Sequence, residues 1–196
     1  MKKVFLSLLL ISGLVVFNSS AQIQVGAFGT YNKILGDAGE DAPAGFGGGV
    51  DLKYFVTPKF AIGLNAGYIQ HSDEQSISIG PISYTLKATQ TIIPVTVNAD
   101  YFFTEEGFRP YVGLGLGLYA LGGSAEANGV KVDADSESKF GFAPHLGAQY
   151  FFNKTVGLDL NVKYNYILSK DSDIEGSEDL TTFGVNLGLV FQFGGK

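Results

Sequence analysis

Residues 156–166 read VGLDLNVKYNY, and their order decides the fold. Val156, Leu158, Leu160, Val162, Tyr164 and Tyr166 share one parity, whereas Gly157, Asp159, Asn161, Lys163 and Asn165 share the other. A side-chain period of two marks a β-strand with one apolar and one polar face. The next segment repeats it, with Phe183, Val185, Leu187, Leu189, Phe191 and Phe193 set against Thr182, Gly184, Asn186, Gly188 and Gln192.

The same alternation recurs around Phe46 to Val56, Phe60 to Tyr68, Ile93 to Tyr101, Val112 to Leu118 and Phe140 to Tyr150. A weaker copy near Ile23 to Lys33 makes eight strands. Thr57-Pro58-Lys59, Thr104 to Phe108 and Asn153-Lys154-Thr155 are tight connections, and those near 34–44, 72–88, 121–138 and 169–180 are long. An even set of such strands, with short turns alternating with long loops, predicts an all-β fold: an eight-stranded antiparallel up-and-down transmembrane β-barrel with short periplasmic turns and long outer loops. A soluble lipocalin-like ligand-binding barrel would turn its apolar face inward and solvate the other with Lys and Glu. Here the other face is mostly Gly, Asn, Thr and Gln, which suits a crowded polar lumen. Aromatics gather near both strand ends, Tyr54, Phe60, Tyr101, Phe103, Tyr150, Phe152 and Phe193 at the short turns and Phe46, Tyr68, Phe140, Tyr166 and Phe183 at the loops, as two interfacial girdles would require.

Composition sets further bounds. The chain has 196 residues, 27 of them glycine, and no cysteine. Disulfide scaffolds and thiolate metal sites are therefore excluded, and a net charge of −6 argues against nucleic-acid binding. Lys2 and Lys3 precede an apolar run from Val4 to Phe17, too short for the roughly 20 residues of a spanning helix. With Ser19 and Ala21 at small-residue positions, residues 1–21 read as a signal peptide cleaved near Ala21/Gln22, leaving 22–196 as the barrel domain in the cell outer membrane with both termini periplasmic.

Three features carry a family resemblance: Ile93-Pro94-Val95 entering a strand that ends Tyr101-Phe102-Phe103, Arg109-Pro110-Tyr111-Val112-Gly113, and a last strand ending at Phe193. The mature chain resembles the outer-membrane beta-barrel domain proteins that include PorT-like members, alongside small eight-stranded barrels of Gram-negative bacteria. Asn186, Gly188, Phe191 and Phe193 are similar to the signal read by the barrel-assembly machinery, although Gly194-Gly195-Lys196 follows the final Phe. The resemblance implies a fold and a location, not one activity.

The sequence offers little catalytic chemistry. His71, Ser72 and Asp73 have triad identities, but neighbouring strand residues point to opposite faces, so His71 reads as a rim histidine. Asn153-Lys154-Thr155 reads as a turn, and Gly113-Leu114-Gly115-Leu116-Gly117 lacks the dinucleotide-binding spacing. Asp171, Asp173, Glu175 and Gly176 imitate a calcium loop, yet Glu175 and Thr182 occupy the fifth and twelfth positions, against its pattern. No cofactor is expected. Asp51, Lys53, Asn65, Asn98, Asp100, His145, Gln149, Asp159, Asn161 and Lys163 fall on lumen parity and should form a polar network. Most of the 19 acidic residues fall in the long loops. Ile77 and Ile79, then Ile82, Tyr84 and Leu86, read as a hairpin extending two strands, with an apolar face available to a partner. Asn128-Gly129 signals a second such hairpin. The leading function is thus a non-enzymatic barrel in contact with membrane lipid, whose loops meet an extracellular or envelope protein or support envelope integrity. A narrow solute channel and an outer-membrane enzyme are the alternatives.

Overall fold

A computed structural model describes residues 22–36, 39, 42–79, 82–127, 130–169 and 179–194, with side chains described outside 75–79 and 82–84. Eight strands close into one barrel in chain order: β1 (Gln22–Leu35), β2 (Gly45–Thr57), β3 (Phe60–Ile79), β4 (Ile82–Phe102), β5 (Phe108–Ala127), β6 (Val130–Phe151), β7 (Val156–Ile167) and β8 (Leu180–Phe193). Every neighbouring pair is antiparallel, and β1 closes on β8 from Ile23↔Phe193 to Leu35↔Thr181. Closure removes the free edges an open sheet would expose.

The parity read from sequence sorts the two faces. Val50, Leu64, Val95, Leu116, Leu160 and Leu187 are exposed on the outer wall, while Lys53, Asn65, Thr96, Asn98, Gln149 and Asn186 are buried inside. Such an apolar exterior around a polar interior suits hydrocarbon outside the barrel. Rings pair along both ends of that wall, Tyr31 with Phe46 at the loop end and Tyr101 with Phe103 and Tyr150 with Phe152 at the short-turn end.

Side-chain caps and one glycine make the short turns. Asn153 Oδ1 accepts the N–H groups of Thr155 at 2.8 Å and Val156 at 2.9 Å, and Gly107 supplies a φ of +67° between β4 and β5. At the loop end Asp179 accepts the Ser169 N–H and the Tyr166 hydroxyl, and these two bonds hold its carboxyl below the usual range.

The connections near 72–88 and 121–138 are mostly strand, in line with the two hairpins read there. β3 and β4 stay paired out to Ile79↔Ile82, and β5 and β6 to Ala127↔Val130. Leu86↔Ala127 joins these hairpins, so a four-stranded ribbon stands beyond the barrel wall. The tip at 128–129, the 171–178 segment and residues 1–21 lie outside the described residues, as do the side chains of Ile77, Ile79, Ile82 and Tyr84.

Some glycines permit close backbone approach. A Cβ on Gly117 would lie 2.1 Å from the Val95 carbonyl oxygen, whereas one on Gly29 would stand 3.9 Å from the Gly47 carbonyl oxygen. Gly117→Ala is therefore expected to cost about 1–3 kcal/mol through overpacking, and Gly29→Ala far less. Urea titrations of the two variants in vesicles check this, and equal midpoints would contradict it.

Candidate functional site

Side chains from all eight strands fill the lumen in layers. At the short-turn end Phe55, Ala61, Phe102 and Tyr111 form a buried apolar cluster. Arg109 is buried among these rings, its guanidinium carbon 4.9 Å from the Phe55 centroid and 4.6 Å from that of Phe102. Stacking on aromatic faces offsets part of the cost of burying this cation. Arg109 Nη1 also donates to Gln192 Oε1 at 3.2 Å, and that oxygen accepts Gln24 Nε2 at 2.8 Å. Gln149 Nε2 then donates to Gln24 Oε1 at 3.1 Å and to Asp159 Oδ2 at 2.8 Å.

The middle layer carries the charges. Asp100 meets Lys53 Nζ at 2.8 Å and His145 Nε2 at 2.7 Å, and the other His145 nitrogen faces the Ala143 carbonyl at 3.0 Å. Asp159 accepts the Tyr111 hydroxyl and Asn161 Nδ2, each at 2.9 Å, and Asn186 Nδ2 donates to Asn161 Oδ1 at 2.7 Å. Lys163 Nζ reaches Asn65 Oδ1 at 3.3 Å, and Thr96 donates to Asn98 at 3.0 Å. Asp51 lines the same small void as Lys53 and Lys163. Several contacts cross the lumen between strands that are not neighbours: β2 to β4, β5 to β7 and β3 to β7. They brace the barrel wall and occupy the bore.

Toward the loop end the interior turns apolar again, at Ile69, Ile92, Tyr119 and Ile167. Tyr119 donates to Asn165 Oδ1 at 3.1 Å, and Asn165 and Asn32 both donate to Thr182 Oγ1. His71 lies at the rim of the closed wall, in the last β2–β3 pair with Gly45, and its side chain turns inward: it is only 2% exposed, and a Cβ on Gly45 would lie 2.4 Å from Nε2. Ser72 accepts from Gln70 on the opposite face, so these two residues form no catalytic relay.

Alternation alone did not single out Arg109, Phe102 or Tyr111. Pro110 interrupts the apolar parity, and Phe102 sits among aromatics that read as girdle. The available signal was parity: both 109 and 111 match the lumen-facing Gly113.

Above the lumen the ribbon has two faces. Leu86, Val130 and Val132 lie on the face continuous with the lumen parity, and all three are exposed, Val132 by 66%. Beyond the His71 and Gly141 pairings the ribbon's flanking strands β3 and β6 have a neighbour on one side only. These edges carry Asp73, Glu74, Lys131, Asp133, Asp135, Glu137 and Lys139, charges that guard against indiscriminate strand pairing. Phe191 and Phe193 face outward on the last strand, Asn186 faces the lumen, and Gly188 permits close approach to the Ala27 carbonyl. Among the described residues no three metal-ligating side chains come together.

The model of the outer membrane protein beta-barrel domain matches residues 4–193. The chain belongs to that outer-membrane β-barrel family. Its fold is shared with Neisserial surface protein A, at 18% identity and TM-score 0.57 over 87% of this chain and 97% of that one. It is also shared with Ail, the attachment invasion locus protein of Yersinia pestis, solved with the heparin analogue sucrose octasulfate, at 15% identity and TM-score 0.58 over 89% and 99%. OprG from Pseudomonas aeruginosa matches at 19% identity and TM-score 0.52 over 90% and 97%. An uncharacterized Haemophilus influenzae protein is 31% identical over 94 residues, 47% of this chain, which spans about half (48%) of that relative's length. As a member of this family the chain is an outer-membrane barrel in a lipid environment.

Proposed function

We propose that this barrel is a sealed, non-enzymatic scaffold that holds the four-stranded ribbon outside the cell for contact with an extracellular or envelope protein. The observation that carries the reading is the exposed apolar face of Leu86, Val130 and Val132 above a lumen filled by cross-strand contacts. A monomer rarely leaves a contiguous apolar surface unused, and a sheet face with flanking free edges offers both side-chain and main-chain contacts. In this reading residues 1–21 are a cleaved leader, both ends of the mature chain lie in the periplasm, and the acidic loops face outward. Asn186, Gly188, Phe191 and Phe193 present the last strand to the barrel-assembly machinery. The lumen network of Asp51, Lys53, Asp100, His145, Asp159 and Lys163 is structural.

Photo-crosslinkers placed at Val130, Val132 and Leu187 in intact cells test this. The ribbon positions should give discrete protein adducts that disappear when residues 77–86 are deleted, and Leu187 should react with lipid. Because the membrane strands are untouched, the deletion should still give a heat-modifiable barrel. A ribbon that yields no protein adduct, or a deletion that prevents folding, would make the ribbon a lid over the mouth instead.

A further inference from the structure

The chain has two histidines, and the fold treats them differently. His145 is braced, with one ring nitrogen on Asp100 and the other facing the Ala143 carbonyl. His71 is as deeply buried but unbraced. Neither of its ring nitrogens has a hydrogen-bond partner among the described residues, and the Asn32 main chain lies beside the ring without closing a bond to it. The ring occupies the space that Gly45 leaves: the three nearest neighbours of a Cβ there would all be its atoms, none further than 2.6 Å. Inward positions on the strands around it, Asn32 and Ile34 of β1, Gln90 and Ile92 of β4 and Thr182 of β8, carry no charge. Among the described residues, the titratable groups on this face at the mouth are Asp73, two residues further along β3, Tyr119 of β5, and Glu137 and Lys139 of β6, which pair with each other at 3.5 Å. His71↔Gly45 is also the last pair joining β3 to β2, whereas β3 stays with β4 beyond it. The unbraced ring therefore sits where the ribbon leaves the closed wall.

We propose that His71 is a proton-operated latch at the foot of the ribbon: when neutral its ring seats in the barrel mouth and holds the last β2–β3 pairs, and on taking up a proton it leaves the seat and frees the ribbon's flank. An imidazolium kept in the seat would be a buried charge with no carboxylate bonded to it, a state that proteins avoid by moving or neutralising the group. Outward of the seat lie water and the Asp73 carboxyl, so the charged ring moves that way. The linkage has one sign. A released ring takes up a proton near the ordinary histidine value of about 6.5 and a seated ring does not, so the seat holds above that pH and acid favours release. Release adds main-chain groups of β3 and β2 to the edge that the ribbon already leaves unpaired. The apolar layer of Ile69, Ile92, Tyr119 and Ile167 lies further in, so the latch alters the ribbon's foot and not the closure of the lumen. It works whether or not a protein partner binds the ribbon.

The test uses the full barrel in phosphatidylcholine nanodiscs, with isotope-labelled histidine rings and backbone amide exchange followed at pH 7.5 and pH 5.0. For a seat that excludes the proton, the ratio of released to seated rings rises about 30-fold between these values. Protection of the amides around His71 and Gly45, corrected for intrinsic exchange, should fall by about that factor at pH 5.0. A water-soluble paramagnetic probe should then reach the His71 ring at pH 5.0 only, while the His145 ring stays shielded at both. His71→Phe fills the seat but takes no proton, and should keep full protection at both pH values. Gly45→Ala displaces the ring, and should show the low protection already at pH 7.5. Heat-modifiable migration is the folding control, and if Gly45→Ala fails it, the comparison of wild type with His71→Phe decides alone. A His71 ring still shielded at pH 5.0, a pH response retained in His71→Phe, or a folded Gly45→Ala as protected as wild type at pH 7.5 would overturn the latch. No readout here involves a protein partner, so the ribbon contact and the latch stand or fall separately.

Discussion

Leu187→Lys is expected to destabilise the folded barrel in a bilayer by about 2–4 kcal/mol. Leu187 lies midway along β8, faces outward and is 57% exposed, with Gly29 and Leu160 as cross-strand partners. At that depth an ammonium has neither water nor a counter-charge within reach. The same substitution at Val56, beside the β2–β3 turn, should cost no more than about 1 kcal/mol, because cost falls toward the interface. Equilibrium unfolding in vesicles would separate the two. Equal costs at both positions would mean that the alternating face does not meet hydrocarbon.

Asp100→Asn is expected to cost about 3–5 kcal/mol although it preserves shape, because it leaves the Lys53 ammonium buried without its carboxylate. Asp100 is 1% exposed, and Gly113 leaves it room, since a Cβ there would stand 2.2 Å from Asp100 Oδ1. Removing the stranded charge as well, in Lys53→Met with Asp100→Asn, should recover much of the loss. The double variant separates the penalty of an unpaired ion from the worth of the pair. A double variant as unstable as the sum of its singles would show that the two residues do not act as a pair.

The residues show why some of this was legible in the sequence. Period-two alternation placed Lys53, Asp100 and Lys163 inside and Leu116 and Leu187 outside, because a strand offers each side chain only two directions. Which lumen groups meet depends instead on how eight strands stagger around the closed wall. Hence Tyr111 reaching Asp159, or Lys163 reaching Asn65, could not be read from spacing. The ribbon was foreshadowed by the apolar positions flanking Gly80-Pro81 and by Asn128-Gly129, whereas the β5–β6 register shift at Leu121 left no pattern. Arg109 was visible as part of Arg-Pro-Tyr-Val-Gly, but its burial among Phe55 and Phe102 needs three strands to converge.

In the proposed reading the lumen is closed by its own side chains, and planar-bilayer recording of the purified full barrel checks this. Eight strands leave an interior just wide enough for side chains to fill. Here two apolar layers flank the charged middle, and the enclosed voids within it have room for little more than a water molecule. The expected record is a quiet bilayer with no steady single-channel current at neutral pH. Reproducible, long-lived openings of porin size, carried by the folded, heat-modifiable species, would contradict it.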